Sequence, residues 1–508
     1  MPTKSLVAPG LAKRIRPRFR SRQQRGRILA FSCVVVICCV CDMLLPVRVG
    51  LGVAGIVYGF WSLWLAVLES RSAPLRFNPL VTYQIWQMAT LGLSPIFIAL
   101  KYSAANPAPI GPKLVGVEQV GYGHAILVVG AFALYLGMKQ FQPRDVVATS
   151  GAKRKVPFLM LSIGFIAGLV IQVFSPEITG AVGSVFACLS FMAVASLLLF
   201  AIEPPTRYWR SPGPYWAILL AGTSALLLVN ARDTSKMMVV FSFVPFVLAI
   251  RKRLSTGATI AFGAGSAVAY LFLLTPLATI TRARVQVNEL GERSMLHTDT
   301  TGDVLTRLVS SFRDDQSQYL SSWFGETLGR LGDSVPAGFI ADSVATNGSL
   351  NGMGMGYVPL AFVPRILWHD KPLIVPGSYF TTVLGGASDK SLVSTSTGQT
   401  AAGELFWNFG WPGVVIGMYL LGVTLSGAWW GADRGNPTNG VLEMTAFLGA
   451  TLSFVQFTGG AAGPAFTGAI SVGIFLRVLI RVRDRMFLRR RGYWRRVIPG
   501  VPKLPTCR

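Results

Sequence analysis

Charge is what this sequence has little of. Only 14% of its 508 residues are Asp, Glu, Lys or Arg, against roughly 25% in soluble chains. With 52% hydrophobic residues and a mean hydropathy of +0.51, a soluble globular domain is excluded. Histidine is scarcer still: His124, His297 and His369 are the only three, and they share no short metal-ligand spacing. Of the six cysteines, Cys33, Cys38, Cys39, Cys41 and Cys188 lie in apolar runs and Cys507 in a basic tail. Residues 280–403 have none, so no disulfide staples that region. Cys38-Cys39-x-Cys41 beside Asp42 reads as small apolar residues of a helix rather than as a metal site. Gly386-Ala387-Ser388-Asp389-Lys390-Ser391 lacks the glycine a P-loop places before its lysine, and no G-x-S-x-G elbow occurs. Gly352, Gly354 and Gly356 follow no strand and open no helix in the way a dinucleotide fingerprint requires. No metal and no cofactor are expected.

Long apolar runs are what the sequence has in abundance. A bilayer core of roughly 30 Å takes about 20 apolar residues as a helix, and such runs recur along the chain. They do not alternate polar with apolar, which excludes an outer-membrane barrel. Open strands cannot face lipid. The expected fold is an all-α polytopic membrane protein of about 12 transmembrane helices. The spans fall near 28–45, 49–68, 81–100, 120–138, 156–174, 181–201, 215–230, 237–250, 257–279, 404–428, 441–459 and 464–480. The first is not a cleaved signal peptide, since no small-residue cleavage site follows it and the second span begins at once. The domain plan is then a basic segment 1–27, helices one to nine over 28–279, a large loop 280–403, helices ten to twelve over 404–480, and a basic tail 481–508.

The net charge of +25 invites a nucleic-acid reading, which its distribution answers. With a cytoplasmic start, the inside segments hold 32 Lys and Arg, nine of them in residues 1–27 and ten in 481–508, whereas the short outside loops hold five. The positive-inside rule therefore places both termini in the cytoplasm and the large loop outside. The run from Lys13 to Arg20 and the triplet Arg489-Arg490-Arg491 act as orientation signals that also sit on anionic headgroups of membrane lipids. No nucleic-acid partner is expected.

The loop 280–403 is the size of a small domain, while every other connection is short. Within it, Val304, Leu305, Leu308, Val309 and Phe312 recur at helical spacing, and Leu320, Trp323, Phe324, Leu328 and Leu331 continue the stripe. That pattern predicts an amphipathic helix packed on the bundle or lying at the interface. Residues 356–368 are apolar but too short to span, with two prolines and an arginine, and suit a re-entrant or interfacial segment. Nine cations line the loop: Arg282, Arg284, Arg293, Arg307, Arg313, Arg330, Arg365, Lys371 and Lys390.

Two stretches carry a family resemblance. Val363-Pro364-Arg365-Ile366-Leu367-Trp368-His369-Asp370-Lys371-Pro372 is followed by Gly403-Glu404-Leu405-Phe406-Trp407-Asn408-Phe409-Gly410-Trp411-Pro412-Gly413. Together they resemble the bacterial oligosaccharide repeat-unit polymerases, the Wzy-type enzymes of O-antigen and exopolysaccharide synthesis. The explicit match covers about fifty residues; His369-Asp370 stands where that family often has proline. The resemblance implies glycosyl transfer between undecaprenyl-diphosphate-linked oligosaccharides on the outer face of the bacterial inner membrane. A chain-length regulator and a flippase are the implied partners.

Such a reaction must stabilise a diphosphate leaving group, for which guanidinium and ammonium groups are suited, and must deprotonate an acceptor hydroxyl. Arg365 and Lys371 are the first choices for diphosphate contacts, followed by Arg330 and then Arg282 and Arg284. Glu404 is the first choice of base, with Asp333 and His369 in reserve. Trp368, Trp407 and Trp411 stack on sugars or form the interfacial aromatic belt, and Asn408 is either a substrate contact or, with Gly410 and Gly413, a close-packing position. Arg282 and Arg284 also fit a helix-end anchor, and Glu404 fits a carboxylate answering a helix dipole. His124 reads as a hydrogen-bonded core histidine. The alternatives are an O-antigen ligase and, further off, a polysaccharide flippase or transporter.

Overall fold

A computed structural model describes residues 22–72, 79–103, 105–110, 113–140, 156–174, 180–202, 212–232, 332–361 and 398–433, the strands at 285–287 and 293–295, and scattered single positions elsewhere. In chain order these form α1 (Arg22–Leu44), α2 (Val47–Ser72), α3 (Pro79–Gln87), a π-helical turn (Met88–Leu93), α4 (Ser94–Lys101), β1 (Ala108–Ile110), β2 (Lys113–Val115) and α5 (Val117–Gln140). There follow α6 (Phe158–Phe174), α7 (Gly180–Ile202), α8 (Pro212–Arg232), β3 (Val285–Val287), β4 (Arg293–Met295), α9 (Ser334–Asn347), α10 (Tyr357–Ala361) and α11 (Ala401–Asp433). Four stretches are long and apolar enough to cross a membrane: Arg25–Leu44, Val47–Glu69, Val117–Lys139 and Ala401–Ser426. Shorter apolar helices occupy Phe158–Val173, Leu189–Ile202 and Gly213–Val229. The expected spans at 237–250, 257–279, 441–459 and 464–480, and the expected amphipathic helix over 303–331, lie almost wholly outside the described residues.

The chain divides into two compact units. The first holds residues 1–147, 332–354 and 399–426. Here α1 and α2 form a hairpin across Leu45-Pro46, where Gly50 N donates to Pro46 O at 2.9 Å and starts the second helix. Phe31 lies at the centre of their contact with α5, its ring 5.1–6.2 Å from those of Tyr58, Trp61, Phe132 and Tyr135. Truncating such a buried ring costs about 3–5 kcal/mol. One end of the bundle is tied by charge: Glu69 Oε1 lies 2.6 Å from Lys139 Nζ and 3.4 Å from Arg27 Nη1. At the other end Arg48 donates to the Ala99 and Leu100 carbonyls at 2.9 and 3.0 Å, closing the last turn of α4 as a basic residue near a helix C-terminus does. The short hairpin β1–β2 pairs Ala108 with Val115 and Ile110 with Lys113 and leads into α5. With 78% of its apolar window buried, α5 is the most enclosed of the four long helices and forms the axis of this unit.

The second unit holds residues 148–331, 355–398 and 427–508. Its described core is an antiparallel pair: Gln172 Nε2 of α6 donates to Ser190 O of α7 at 3.0 Å, and Gly168 lets the Ala193 backbone approach. Tyr215 of α8 donates to Ala201 O at 3.1 Å and stacks on Phe200 at 5.5 Å.

Candidate functional site

Residues 404–428 read as one straight span; the structure corrects this. Gly410 has φ +62° and ψ −153°, a backbone region open essentially to glycine alone. In a straight helix Leu405 and Gly417 would stand about 18 Å apart at 1.5 Å per residue. Instead a Cβ built on Gly417 would lie 2.6 Å from Leu405 Cδ2. Built on Gly130 of α5, a Cβ would meet Ala402 Cβ at 2.8 Å and Met418 Cγ at 3.4 Å together. The chain therefore reverses, giving a first limb 401–409 that lies back along a second limb 412–433. Pro412 starts the second limb, where its missing N–H leaves nothing unsatisfied.

The first limb is fixed from three sides. Tyr122 of α5 stacks edge-on with Phe406 and Trp411, and Trp411 Nε1 donates to Tyr122 Oη at 3.1 Å. The loop after α9 covers the limb's end: Leu350 N donates to Trp407 O at 2.9 Å, satisfying a carbonyl the helix leaves free. On the third side stands α9. Gly338 faces the backbone of Gln119 and Val120, while Gly123 faces that of Ser334 and Ala337, so α9 runs antiparallel to α5 at backbone contact. A Cβ on Gly403 would lie 3.1 Å from Ile340 Cδ1 and 3.8 Å from Ala337 Cα, which places the first limb against α9. Ala402 lies level with Gly130, and Phe406 with Tyr122, so the limb also runs antiparallel to α5. Both helices thus begin partway along α5 and run toward its N-terminal end, and neither crosses the unit.

Two carboxylates mark those beginnings. Asp333 precedes the first turn of α9 and Glu404 lies in the first turn of α11. Glu404 is 1% exposed. Its helix is started by Thr400, whose Oγ1 accepts from Gly403 N at 3.0 Å and whose carbonyl accepts from Glu404 N at 2.9 Å. Thr400 has φ +59°, an outlier for a β-branched residue and of a kind that gathers at functional sites. Asn408, one turn on, donates from Nδ2 to Glu404 O at 2.9 Å. Asp333 is partly exposed, but its Oδ2 is buried, and that burial pushes its carboxyl up to about 7 because desolvation disfavours the charged form. Asp333 Oδ2, Gln399 Oε1 and Asn408 Oδ1 are buried acceptors with no donor among the described residues.

Of the sequence-derived site residues, the structure brings Asp333, Glu404 and Asn408 into one unit. Trp368 belongs to the other unit and is 37% exposed. Arg282, Arg284, Arg330, Arg365, His369 and Lys371 lie outside the described residues. Trp407 is buried, and its backbone carbonyl accepts from the covering loop. Thr400, Gln399 and Tyr122 were not legible as site residues; the one usable signal was Gly410-Trp411-Pro412-Gly413, a turn-forming run inside an apolar stretch. This chain matches no protein-family model, no curated protein and no solved structure.

Proposed function

We propose that this chain polymerises oligosaccharide repeat units carried on undecaprenyl diphosphate, at the outer face of a bacterial inner membrane. It would cross that membrane about twelve times, with both termini cytoplasmic and the large loop outside. The observation that carries the reading is a buried carboxylate, Glu404, in the first turn of a helix that begins partway along α5 against α9, inside an apolar bundle. Irregular backbone at membrane depth is tolerated where it lines a protein cavity, and ionisable groups there are functional by default. Buried acceptors without donors suit a ligand rich in hydroxyl groups, as a glycan is.

In the reaction, an acceptor sugar hydroxyl attacks the anomeric carbon of the donor glycan. The new C–O bond forms as the bond to the lipid diphosphate breaks, and the diphosphate departs with the bonding electron pair. Glu404 takes the hydroxyl proton, held in place by its Thr400-capped helix. Arg365 and Lys371, and as second choices Arg330, Arg282 and Arg284, would neutralise the departing diphosphate, as preorganised cations do in a semi-dry site.

The test is extension of a purified lipid-linked repeat unit in nanodiscs. Glu404→Gln keeps shape and hydrogen bonding but loses the proton acceptor, so extension should fall roughly 10²–10⁴-fold at unchanged protein yield. Full activity in Glu404→Gln would remove it as base. A second reading has its own observation in favour: helices that begin within a bundle, as the first limb does, also build transporter sites. Translocation of the lipid-linked glycan in proteoliposomes without any extension would support that reading, and transfer to a lipid A core acceptor would identify a ligase.

A further inference from the structure

The proposed reaction leaves unused a fully buried pair of titratable groups on the side of α5 that faces α1. His124 and Asp42 are both wholly shielded, with His124 Nδ1 2.7 Å from Asp42 Oδ2. The other ring nitrogen, Nε2, lies 2.9 Å from Leu91 O in the π-helical turn. Leu91 belongs to the π-helical turn Met88–Leu93, where carbonyls pair with N–H groups five residues on, as Ala89 O does with Ser94 N. Its carbonyl accepts from the imidazole across the helix contact, and short π segments of this kind occur frequently at functional sites.

Counting hydrogens on this triad gives a definite answer. A carbonyl oxygen only accepts, so Nε2 must carry a hydrogen. A neutral imidazole has just one N–H, and here it is committed to Leu91. Nδ1 of a neutral ring then presents a lone pair. An ionised carboxylate is likewise an acceptor only. Neutral His124 facing ionised Asp42 would oppose two lone pairs at 2.7 Å, leaving one uncompensated buried negative charge, an arrangement strongly disfavoured away from water. One further hydrogen must sit in the contact, on Nδ1 as imidazolium or on Oδ2 as carboxylic acid. Either way the pair is neutral overall.

We propose that Asp42 and His124 form a proton-binding site, whose bound proton is a structural ligand joining α1, α5 and the π-helical turn. This stands apart from the transferase reading and survives its failure. The groups around the site do not replace the proton. On α1, Cys38, Cys39 and Cys41 are the titratable neighbours within electrostatic reach of Asp42; Tyr58 of α2 is within reach of Cys38 and of Tyr83 of α3. Arg48 is committed to the Ala99 and Leu100 carbonyls. Lys101 stands over the rings of Phe97 and Tyr102 at 5.5 and 5.4 Å. On α5, Glu118 is exposed at the helix start, and Lys139 joins Glu69 and Arg27 at the far end of the bundle. Among the described residues, no Lys or Arg bonds Asp42, and its Oδ1 has no partner.

The chain's three histidines make the test direct. The double variant His297→Gln, His369→Gln leaves His124 as the sole imidazole. It is labelled with ¹⁵N-histidine, placed in nanodiscs and followed by solid-state NMR from pH 6 to pH 8. A strongly deshielded proton correlated with Nδ1, present across this range beside a protonated Nε2, is the expected result. An Nδ1 bearing a free lone pair at pH 8, with no proton correlated to it, would overturn the proposal. Asp42→Asn, added to the double variant, replaces the titrating acid by an amide that donates from Nδ2. The deshielded signal should then vanish while Nε2–H stays, and its persistence would equally overturn the assignment. Should that variant fail to fold, the spectrum of the double variant decides alone.

Discussion

Gly410→Ala isolates the reversal that creates the first limb of α11. The substitution adds one methyl group, and the nearest atom to it is Pro412 Cδ at 3.9 Å, an ordinary contact. No steric term therefore enters. What remains is the backbone, held at φ +62° and ψ −153°, where a residue with a Cβ is strained by about 1–3 kcal/mol. Gly26 supplies the counterpart. It lies within α1, has nothing within 4 Å of an added Cβ, and should gain about 1 kcal/mol as alanine through helix propensity alone. The same chemical change should thus move stability in opposite directions at the two positions, by a difference of roughly 2–4 kcal/mol. Reversible unfolding of the purified protein in mixed micelles, monitored by tryptophan fluorescence, measures both. On the proposed function, Gly410→Ala should also lower glycan extension further than its stability loss explains, because the turn sets where Glu404 stands. If Gly410→Ala proves as stable as the parent, the chain does not reverse at this residue and the two-limb description fails.

Two further outcomes follow from the same unit. Gly338→Leu places a side chain where even a Cβ would lie 2.5 Å from Gln119 O; overpacking of about 1–3 kcal/mol or more should lower the unfolding midpoint and undock α9, whereas a silent Gly338→Leu would deny the backbone contact. Asp333 carries a pKa raised from 3.8 to about 7, so between those values the folded state holds a proton the unfolded state has released, and stability falls as pH rises across that window. Asp333→Asn removes this dependence; its thermal midpoint relative to the parent should climb from pH 4 to pH 7 and level off above, and a constant difference would mean that the carboxyl titrates normally.

Among the described residues, helices were legible where an apolar run was bounded by charge, glycine or proline. Helical segments stand at all seven of the expected spans between residues 28 and 230, including 81–100, which proves to be α3, the π-helical turn and α4 in succession. The π-helical turn itself left no trace in hydropathy, because inserting one residue into a helix changes its register without changing its composition. The reversal in α11 was masked for the opposite reason. Residues 401–433 are apolar on both sides of Gly410, so a window wide enough to detect a span averages over the turn inside it. Glu404 and Asp333 could be nominated singly as carboxylates near helix ends. That α9 lies against the first limb was not legible, because a contact between distant parts of the chain is encoded by no local pattern. His124 was readable as a bonded core residue, but its partners Asp42 and Leu91 were not nameable, because three separate helices supply the three groups.

The shared proton also sets a direction on how this bundle can change over generations. A lineage that replaced Asp42 by asparagine first would keep a polar partner for the ring nitrogen at 124 without burying a charge. A lineage that lost His124 first would leave Asp42 without its only described partner, a buried group unsatisfied at about 1–3 kcal/mol or more. Dismantling the pair is therefore easy in one order and obstructed in the other. Histidine at 124 and aspartate at 42 should behave as a single inherited trait, with substitutions at 124 found on backgrounds already changed at 42.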